Sequence, residues 1–525
     1  MSEHKTKSMI GGMTVLGIAG ILCKVIGVLF TIPLTHLIGA DGLGIFYGVY
    51  PTYNLLLTIS SAGLPVAISR LVSHCLARQD PNNAKRVFRM AAWLMTAIGC
   101  LLSILMFVFS DPLSRHINQP ESMPGFQMIA PCIALVCLLS AFRGFMQGQQ
   151  NMVPTAVSQL IEQIGKVVIA LPLASLGVRQ SVAMGAAYAL LGITLVEGVA
   201  LLYMLVLYLK NRAVIAALPQ QSNDPQLSPW QSARQLLAIA IPVTLASCIV
   251  PLASFIDSAM LVDRMLVSGL TLDEARPLYG LYSGPVIRLI NIPTALALSI
   301  SMSLVPAISG ARAVHDEDMV KSQTDLGLRF SFLIGLPCSV GMSLLSKPII
   351  SLFYTGALTP SQIQSASELL SVSSLTVILF TLVQSTSAIL QGVQKQRIPM
   401  YTLIAGVACK IALNYMLVAI PGFHIHGAPI SSLVCYTVSM IPNLYYVLKL
   451  TGTRFSFVNW IVRPGIATLV MGLLVYALLR ILPLRPVFTL LITALGILCY
   501  LCVAFAVKAI TKEDLSAFRR TRRKK

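Results

Sequence analysis

Four basic side chains stand deep inside long apolar blocks: Lys24, Lys166, Arg288 and Lys410. Two acids, Glu162 and Glu197, are equally deep, and Asp257 lies nearer an outer end. A charge at the centre of a bilayer costs at least about 2.5 to 3.5 kcal/mol on insertion scales, so each of these groups must face a cavity or a partner. Glu162 and Lys166 are four residues apart on one helix face and can pair locally. Glu162, Glu197 and Asp257 are therefore either structural partners or sites for a coupling ion. Lys24, Arg288 and Lys410 have no such neighbour in sequence. An excess of cations in a low-dielectric cavity favours an anionic ligand, and the fork of arginine suits phosphate oxygens. Five further arginines (Arg89, Arg143, Arg234, Arg329 and Arg463) lie near expected cytoplasmic span ends, where they can snorkel to the headgroups.

Other chemistry is thin. The chain carries neither a Walker A run nor an H-E-x-x-H, so ATP or metal chemistry is not expected and no cofactor is called for. His424 and His426 read as a loop pair at the membrane surface. Cys499 and Cys502 form a C-x-x-C inside the last apolar block, without a second pair or a nearby histidine, and the eleven cysteines read as small apolar residues.

The elements that hold these residues follow from composition. Of 525 residues 56% are hydrophobic and 11% charged, against roughly 25% charged in soluble domains. The apolar residues come in blocks of about 20 or more, enough to cross a hydrocarbon core. The expected fold is an all-α polytopic membrane protein with about fourteen spans, beginning near residues 10, 43, 87, 124, 153, 182, 233, 280, 327, 362, 398, 426, 460 and 487. The apolar block after Met9 runs to Leu37 and contains a lysine, which is too long and too polar for a signal peptide. The net charge of +19 reflects topology rather than nucleic acid, because six of the last seven residues are basic and most of the other charges flank spans. Alternate connections beginning with the N-terminal tail hold 22 Lys and Arg, and the opposite set holds 7. By the positive-inside rule both termini are cytoplasmic.

The sequence also repeats. MQGQQNMVPTAVSQLIEQIGK at 146–166 echoes LQGVQKQRIPMYTLIAGVACK at 390–410, an offset of 244 residues. PVAIS at 65–69 echoes PAIS at 306–309, an offset near 241. A duplication of six spans predicts two parallel six-helix bundles around a central cavity, at 1–215 and 229–450. Two more spans follow at 456–510, then a basic cytoplasmic tail at 511–525. Prolines such as Pro33, Pro131, Pro293 and Pro337 suit helices that kink during alternating access.

Three segments carry a family likeness: GILCKVIGVLFTIPLTHLIGADGLGIF (20–46), SAGLPVAISRLVS (61–73) and VIRLINIPTALALSISMSLVPAIS (286–309). The chain resembles the stage V sporulation protein B branch of the polysaccharide transporters. These belong to the multidrug, oligosaccharidyl-lipid and polysaccharide exporter (MOP) superfamily, which includes MATE-type antiporters. The resemblance implies kinship with MurJ-type flippases, which carry lipid II, an undecaprenyl-diphosphate-linked peptidoglycan precursor, across the bacterial cytoplasmic membrane. It places Lys24 and Arg288 at basic positions of those flippases, Asp41 at an acidic one, and the last two spans beside the lipid tail. It departs from them near Leu29 and Phe30, where a second first-span arginine would fall.

The expected activity is therefore transport, not catalysis: flipping of an anionic lipid-linked oligosaccharide, with Na⁺ or H⁺ as a possible coupling ion. The rivals are a flippase for another lipid-linked polysaccharide, a cation-coupled drug or toxin antiporter using Glu162, Glu197 or Asp257, and a polyprenyl-linked membrane enzyme. The enzyme reading calls for acids clustered at a span end or a sizeable outer loop. The longest outer connection, Ala259 to Tyr279, offers Asp263, Asp273 and Glu274.

Overall fold

The computed structural model describes residues 2–216, 228–483 and 485–510. The basic tail expected at 511–525 lies outside the described residues, as does most of the connection after residue 216. Among the described residues the regular elements are helices, with one isolated bridge between Thr355 and Leu358. Contacts divide the chain into two compact units. The first contains 1–263 and 272–280, and the second contains 264–271 and 281–525.

The first unit is built from α1 (Ser2–Ser61), α2 (Leu64–Ala77), α3 (Pro81–Val108), α4 (Ser110–His116), α5 (Met123–Gly148), α6 (Val153–Gly165), α7 (Leu171–Val178), α8 (Val182–Ala216), α9 (Pro229–Ser247), most of α10 (Ile249–Val267) and α11 (Leu272–Leu281). The second is built from α12 (Ile287–Ala313), α13 (Glu317–Leu344), α14 (Ser346–Tyr354), α15 (Pro360–Ser374), α16 (Thr376–Gly392), α17 (Arg397–Leu417), α18 (Gly427–Thr451), α19 (Arg463–Ile481) and α20 (Pro486–Ala506). Three single π-turns interrupt these helices at Lys166–Ala170, Tyr282–Val286 and Val458–Val462.

Among the described residues twelve stretches are long and apolar enough to cross a membrane, or thirteen if the bent pair around Cys248 is one span. The stretch Leu22–Ala77 counts once although it holds 56 residues. At 1.5 Å per residue that is about 84 Å of helix, more than two hydrocarbon thicknesses. Its break is at Gly39, which takes φ 65° and ψ −173° inside α1, a backbone conformation natural only to glycine. Dividing the stretch there brings the count to the fourteen blocks of the sequence. The Ser- and Thr-rich block near 362–386 is realised as α15 and α16, joined at Leu375.

Local chemistry sets the ends. The Asp80 carboxylate accepts the Asn83 N–H at 3.0 Å with Pro81 in the first turn of α3, and Asp316 accepts the Met319 N–H at 2.9 Å at the start of α13. Ser228 and Thr359 form reciprocal capping boxes with Gln231 and Gln362. In each unit one well-buried helix is the hub. α5 packs against α2, α3 and α8, and α16 packs against α12, α13 and α18.

The two sequence echoes meet in both units. A Cβ on Gly148, at the end of α5, would lie 2.8 Å from Val72 Cβ and 3.0 Å from the Ser69 carbonyl. A Cβ on Gly392, at the end of α16, would lie 2.8 Å from Ile308 Cβ, and Ser309 Oγ donates to the Gly392 carbonyl at 3.1 Å. The turn that follows also repeats. Gln150 has φ 62° and Gln394 has φ 63°. The Asn151 N–H reaches back to the Met146 carbonyl, and Lys395 to Leu390, at the same offset of 244 residues. Likewise α3 and α13 both run 28 residues, after Gln79 at φ 56° and His315 at φ 57°.

The last two helices brace α13. The Tyr500 hydroxyl donates to the Leu333 carbonyl at 2.7 Å, and Trp460 Nε1, in the π-turn before α19, donates to Asp325 Oδ1 at 2.7 Å.

Candidate functional site

In the first unit α1 runs alongside α6. Cys23 Sγ contacts the Gln159 carbonyl at 3.5 Å, and a Cβ on Gly27 would stand 3.7 Å from Gln163 Oε1. Lys24 is half-buried on this stretch of α1. Among the described residues it has no ion pair or hydrogen bond.

Near Cys23, the residue before it, is a four-membered charge cluster. Arg143, on α5, donates to Glu162 Oε1 and, at 2.9 Å, to Ser158 Oγ on α6. The Arg143 and Glu162 side chains are only 13% and 12% exposed. Glu197, on α8, is 5% exposed and is acted on by the charges of Glu162, Lys166 and Arg143. Its Oε2 has no hydrogen-bond partner among the described residues. Small residues permit this approach: a Cβ on Gly165 would reach within 2.5 Å of Val196, and one on Gly192 within 2.3 Å of Ala170. Lys166 opens the π-turn, a distortion that often marks functional positions.

Lys24 stands outside this set of two bases and two acids as an additional cation. Arg143 departs from the snorkelling expected of it. Turning inward to Glu162 and Ser158 gives the guanidinium charge-assisted hydrogen bonds in place of headgroup contacts.

Asp41 sits two residues after the Gly39 break. Its carboxylate accepts from Arg276 Nη1 at 3.2 Å, and the same nitrogen donates to Glu121 Oε2 at 2.8 Å. The Arg276 side chain is 6% exposed, because α11 presses onto α1. Cβ atoms on Gly44 or Gly280 would come within 2.4 Å of the facing backbone, and the Tyr279 hydroxyl donates to the Tyr47 carbonyl at 3.0 Å. The stretch read from sequence as an outer connection is thus largely helical, and its buried arginine is its main anchor. Asp257 is half-buried on α10, on the part assigned to the first unit.

In the second unit Arg288 is the second residue of α12, just past the π-turn Tyr282–Val286, and is half-buried. Lys410 is half-buried on α17, one turn before Asn414, which accepts a hydrogen bond from Ser431 of α18. Lys24 and Arg288 therefore belong to different units. The histidine pair forms a 3₁₀ turn: His424 Nδ1 bonds Ser268 Oγ at 2.7 Å, and His426 lies 3.8 Å from Glu368.

Arg143 and Arg276 are the participants that sequence reading did not single out. Their partners are 19, 155 and 235 residues away, so no local spacing announces them. The one available signal was an arginine beside an otherwise unbalanced deep acid.

The sequence pattern of the family described as polysaccharide biosynthesis protein matches residues 10–311, more than half of the chain. The chain belongs to that family. A second pattern, MatE, matches residues 283–416. This polysaccharide biosynthesis family member is 25% identical to the lipid II flippase MurJ of Bacillus subtilis, over 86% of this chain and 84% of the relative. It is 24% identical to stage V sporulation protein B of the same organism, over 81% and 80%. Among solved structures it resembles a lipid II flippase MurJ in an inward closed conformation, with TM-score 0.69 and 15% identity over 94% of this chain and 98% of that one. It also resembles an inward-facing MATE family multidrug resistance transporter of the MOP superfamily, with TM-score 0.70 and 15% identity over 83% and 98%. The family member is a multi-pass membrane protein with the fold of MOP-superfamily transporters.

Proposed function

We propose that this chain is a flippase for an anionic polyprenyl-diphosphate-linked oligosaccharide, with lipid II as the first candidate, in a bacterial cytoplasmic membrane. The observation that carries the reading is Lys24: a half-buried cation on an apolar helix, without a partner among the described residues, one residue after Cys23, which lies within reach of the charges of Glu162, Lys166 and Arg143. Leaving a cation unpartnered in an apolar segment is costly, and an anionic substrate offsets that cost. Lys24 in the first unit and Arg288 in the second each contact the diphosphate during the transport cycle. Arg143, Lys166, Glu162 and Glu197 keep the cluster near Cys23 in place, and Lys410 is a further contact. Access alternates between the two faces while the prenyl tail stays in lipid. The domains are the two six-helix bundles 1–215 and 229–450 with the appended pair 456–510, and both termini are cytoplasmic.

The likeness to the relatives named lipid II flippase and stage V sporulation protein B supports the choice of substrate. The match of the MatE pattern to residues 283–416 keeps the cation-coupled antiporter as the second reading.

Binding separates the two. Purified protein in detergent is titrated with lipid II and, separately, with a cationic dye. The flippase reading expects the wild type to bind lipid II and Lys24→Ala to bind it about ten-fold more weakly, the loss of one or two charge-assisted hydrogen bonds. Dye binding without lipid II binding would replace it with the antiporter reading.

A further inference from the structure

Inside the second unit, next to the Tyr282–Val286 π-turn, is a cavity of about 90 Å³. That is room for on the order of six waters, or for one pyranose ring. No charged side chain is among its lining residues, but polar groups are dense. Thr294 Oγ1 donates to the Asn291 carbonyl at 3.0 Å, Thr376 Oγ1 to the Ser373 carbonyl at 2.6 Å, and Ser432 Oγ to the Ala428 carbonyl at 3.0 Å. These hydroxyls have committed their protons to their own helices, so their oxygens present lone pairs to whatever enters. The Ser373 hydroxyl is different. Ser373 lines the cavity as a residue, but its hydroxyl oxygen is itself buried away from it, without a hydrogen-bond partner among the described residues.

Two further features narrow the ligand. The rings of Tyr282, Phe380 and Tyr436 line the same cavity, with Phe380 and Tyr436 edge-to-face at 5.4 Å. Aromatic faces beside hydroxyl and amide groups suit a ring that is apolar on its C–H face and polar at its rim. The Asn291 side chain, which makes no hydrogen bond with the described residues, supplies both a donor and an acceptor. Asn291 is also three residues after Arg288 on α12, and that spacing puts both on one helix face.

We propose that this cavity is a subsite for a neutral sugar ring, the one attached directly to a diphosphate that Arg288 contacts. The inference rests on the flippase reading above and adds to it that the second unit recognises the sugar. A cavity of this size takes one ring, so any further sugars of the substrate lie outside it.

The test compares two lipids on the full-length protein in detergent: a short-chain polyprenyl diphosphate, and the same lipid carrying a single N-acetylhexosamine. Affinities are measured for the wild type, Asn291→Ala, Tyr436→Leu and Arg288→Ala, with thermal melts to confirm that each variant folds. The subsite predicts that the wild type prefers the sugar-bearing lipid by about ten-fold. Asn291→Ala and Tyr436→Leu should abolish the preference without changing affinity for the bare diphosphate, and Arg288→Ala should weaken both lipids together. Equal binding of the two lipids to the wild type, or an unchanged preference in folded Asn291→Ala and Tyr436→Leu, would overturn the subsite and leave the flippase reading standing. Failure of the wild type to bind either lipid would overturn both.

Discussion

At the residue scale, two kinds of buried charge call for different experiments. Lys24 has no partner to lose among the described residues, so Lys24→Ala should leave the melting temperature unchanged while cutting transport at least ten-fold; a thermal melt beside a flipping assay checks both halves. Arg143 is the opposite case. Arg143→Met leaves Glu162 and Glu197 facing Lys166 alone, and breaking a buried ion pair from one side costs about 3 to 5 kcal/mol, so the melt itself should shift downward. Arg276→Met should cost about 2 kcal/mol, less than Arg143→Met, because the Asp41 and Glu121 side chains are 42% and 58% exposed and water screens them. Lys24, Lys166, Arg288 and Lys410 were legible in the sequence because each is a charge in an apolar block, where composition alone marks it. The wiring of Arg143 and Arg276 was not legible, since Arg143 reaches across a turn to the next helix and Arg276 reaches partners 155 and 235 residues away, separations that no helical spacing marks.

At the element scale, the repeated turns offer a paired prediction. Gln150 and Gln394 hold left-handed backbone at the ends of α5 and α16, a conformation that costs an L residue roughly 1 to 2 kcal/mol and glycine much less. Gln150→Gly and Gln394→Gly should each raise thermal stability by up to about 1 kcal/mol, and valine at either position should lower it. If one site responds and the other does not, the two turns are not equivalent. Span positions were legible from apolar periodicity and from proline and glycine punctuation. The Gly39 break was legible too, falling between the block that ends at Leu37 and the one that begins near residue 43, whereas the bend after Ser247 was not, because apolar residues continue through it. The short helices α4, α11 and α14 were missed for the converse reason: they are brief and mixed in polarity, so hydropathy reads them as connections.

At the scale of the whole molecule, the paired hubs α5 and α16 and the matched 28-residue helices α3 and α13 are what a duplication of six spans would leave. Short echoes in sequence became repeated backbone geometry because the Gln-Gly turn and the Pro-Ala-Ile-Ser segment pack against each other in each unit. The proposed orientation and an anionic headgroup together make a prediction about energetics. Moving negative charge outward against an inside-negative potential is favourable by about 2.3 kcal/mol per charge per 100 mV. Transport in proteoliposomes should therefore speed up when such a potential is imposed by a potassium gradient and slow when its sign is reversed. A rate indifferent to the potential would argue against outward movement of a charged diphosphate.

The most direct test of the central claim is flipping in cells. A bacterium is depleted of its native lipid II flippase, this chain is expressed, and cleavage of lipid II by an externally added enzyme is measured. The wild-type chain should restore cleavage, while Lys24→Ala and Arg288→Ala, present in the membrane at equal abundance, should not. Full restoration by both variants would contradict the assignment of these cations to the substrate, and no restoration by a well-inserted wild-type chain would contradict lipid II as the cargo.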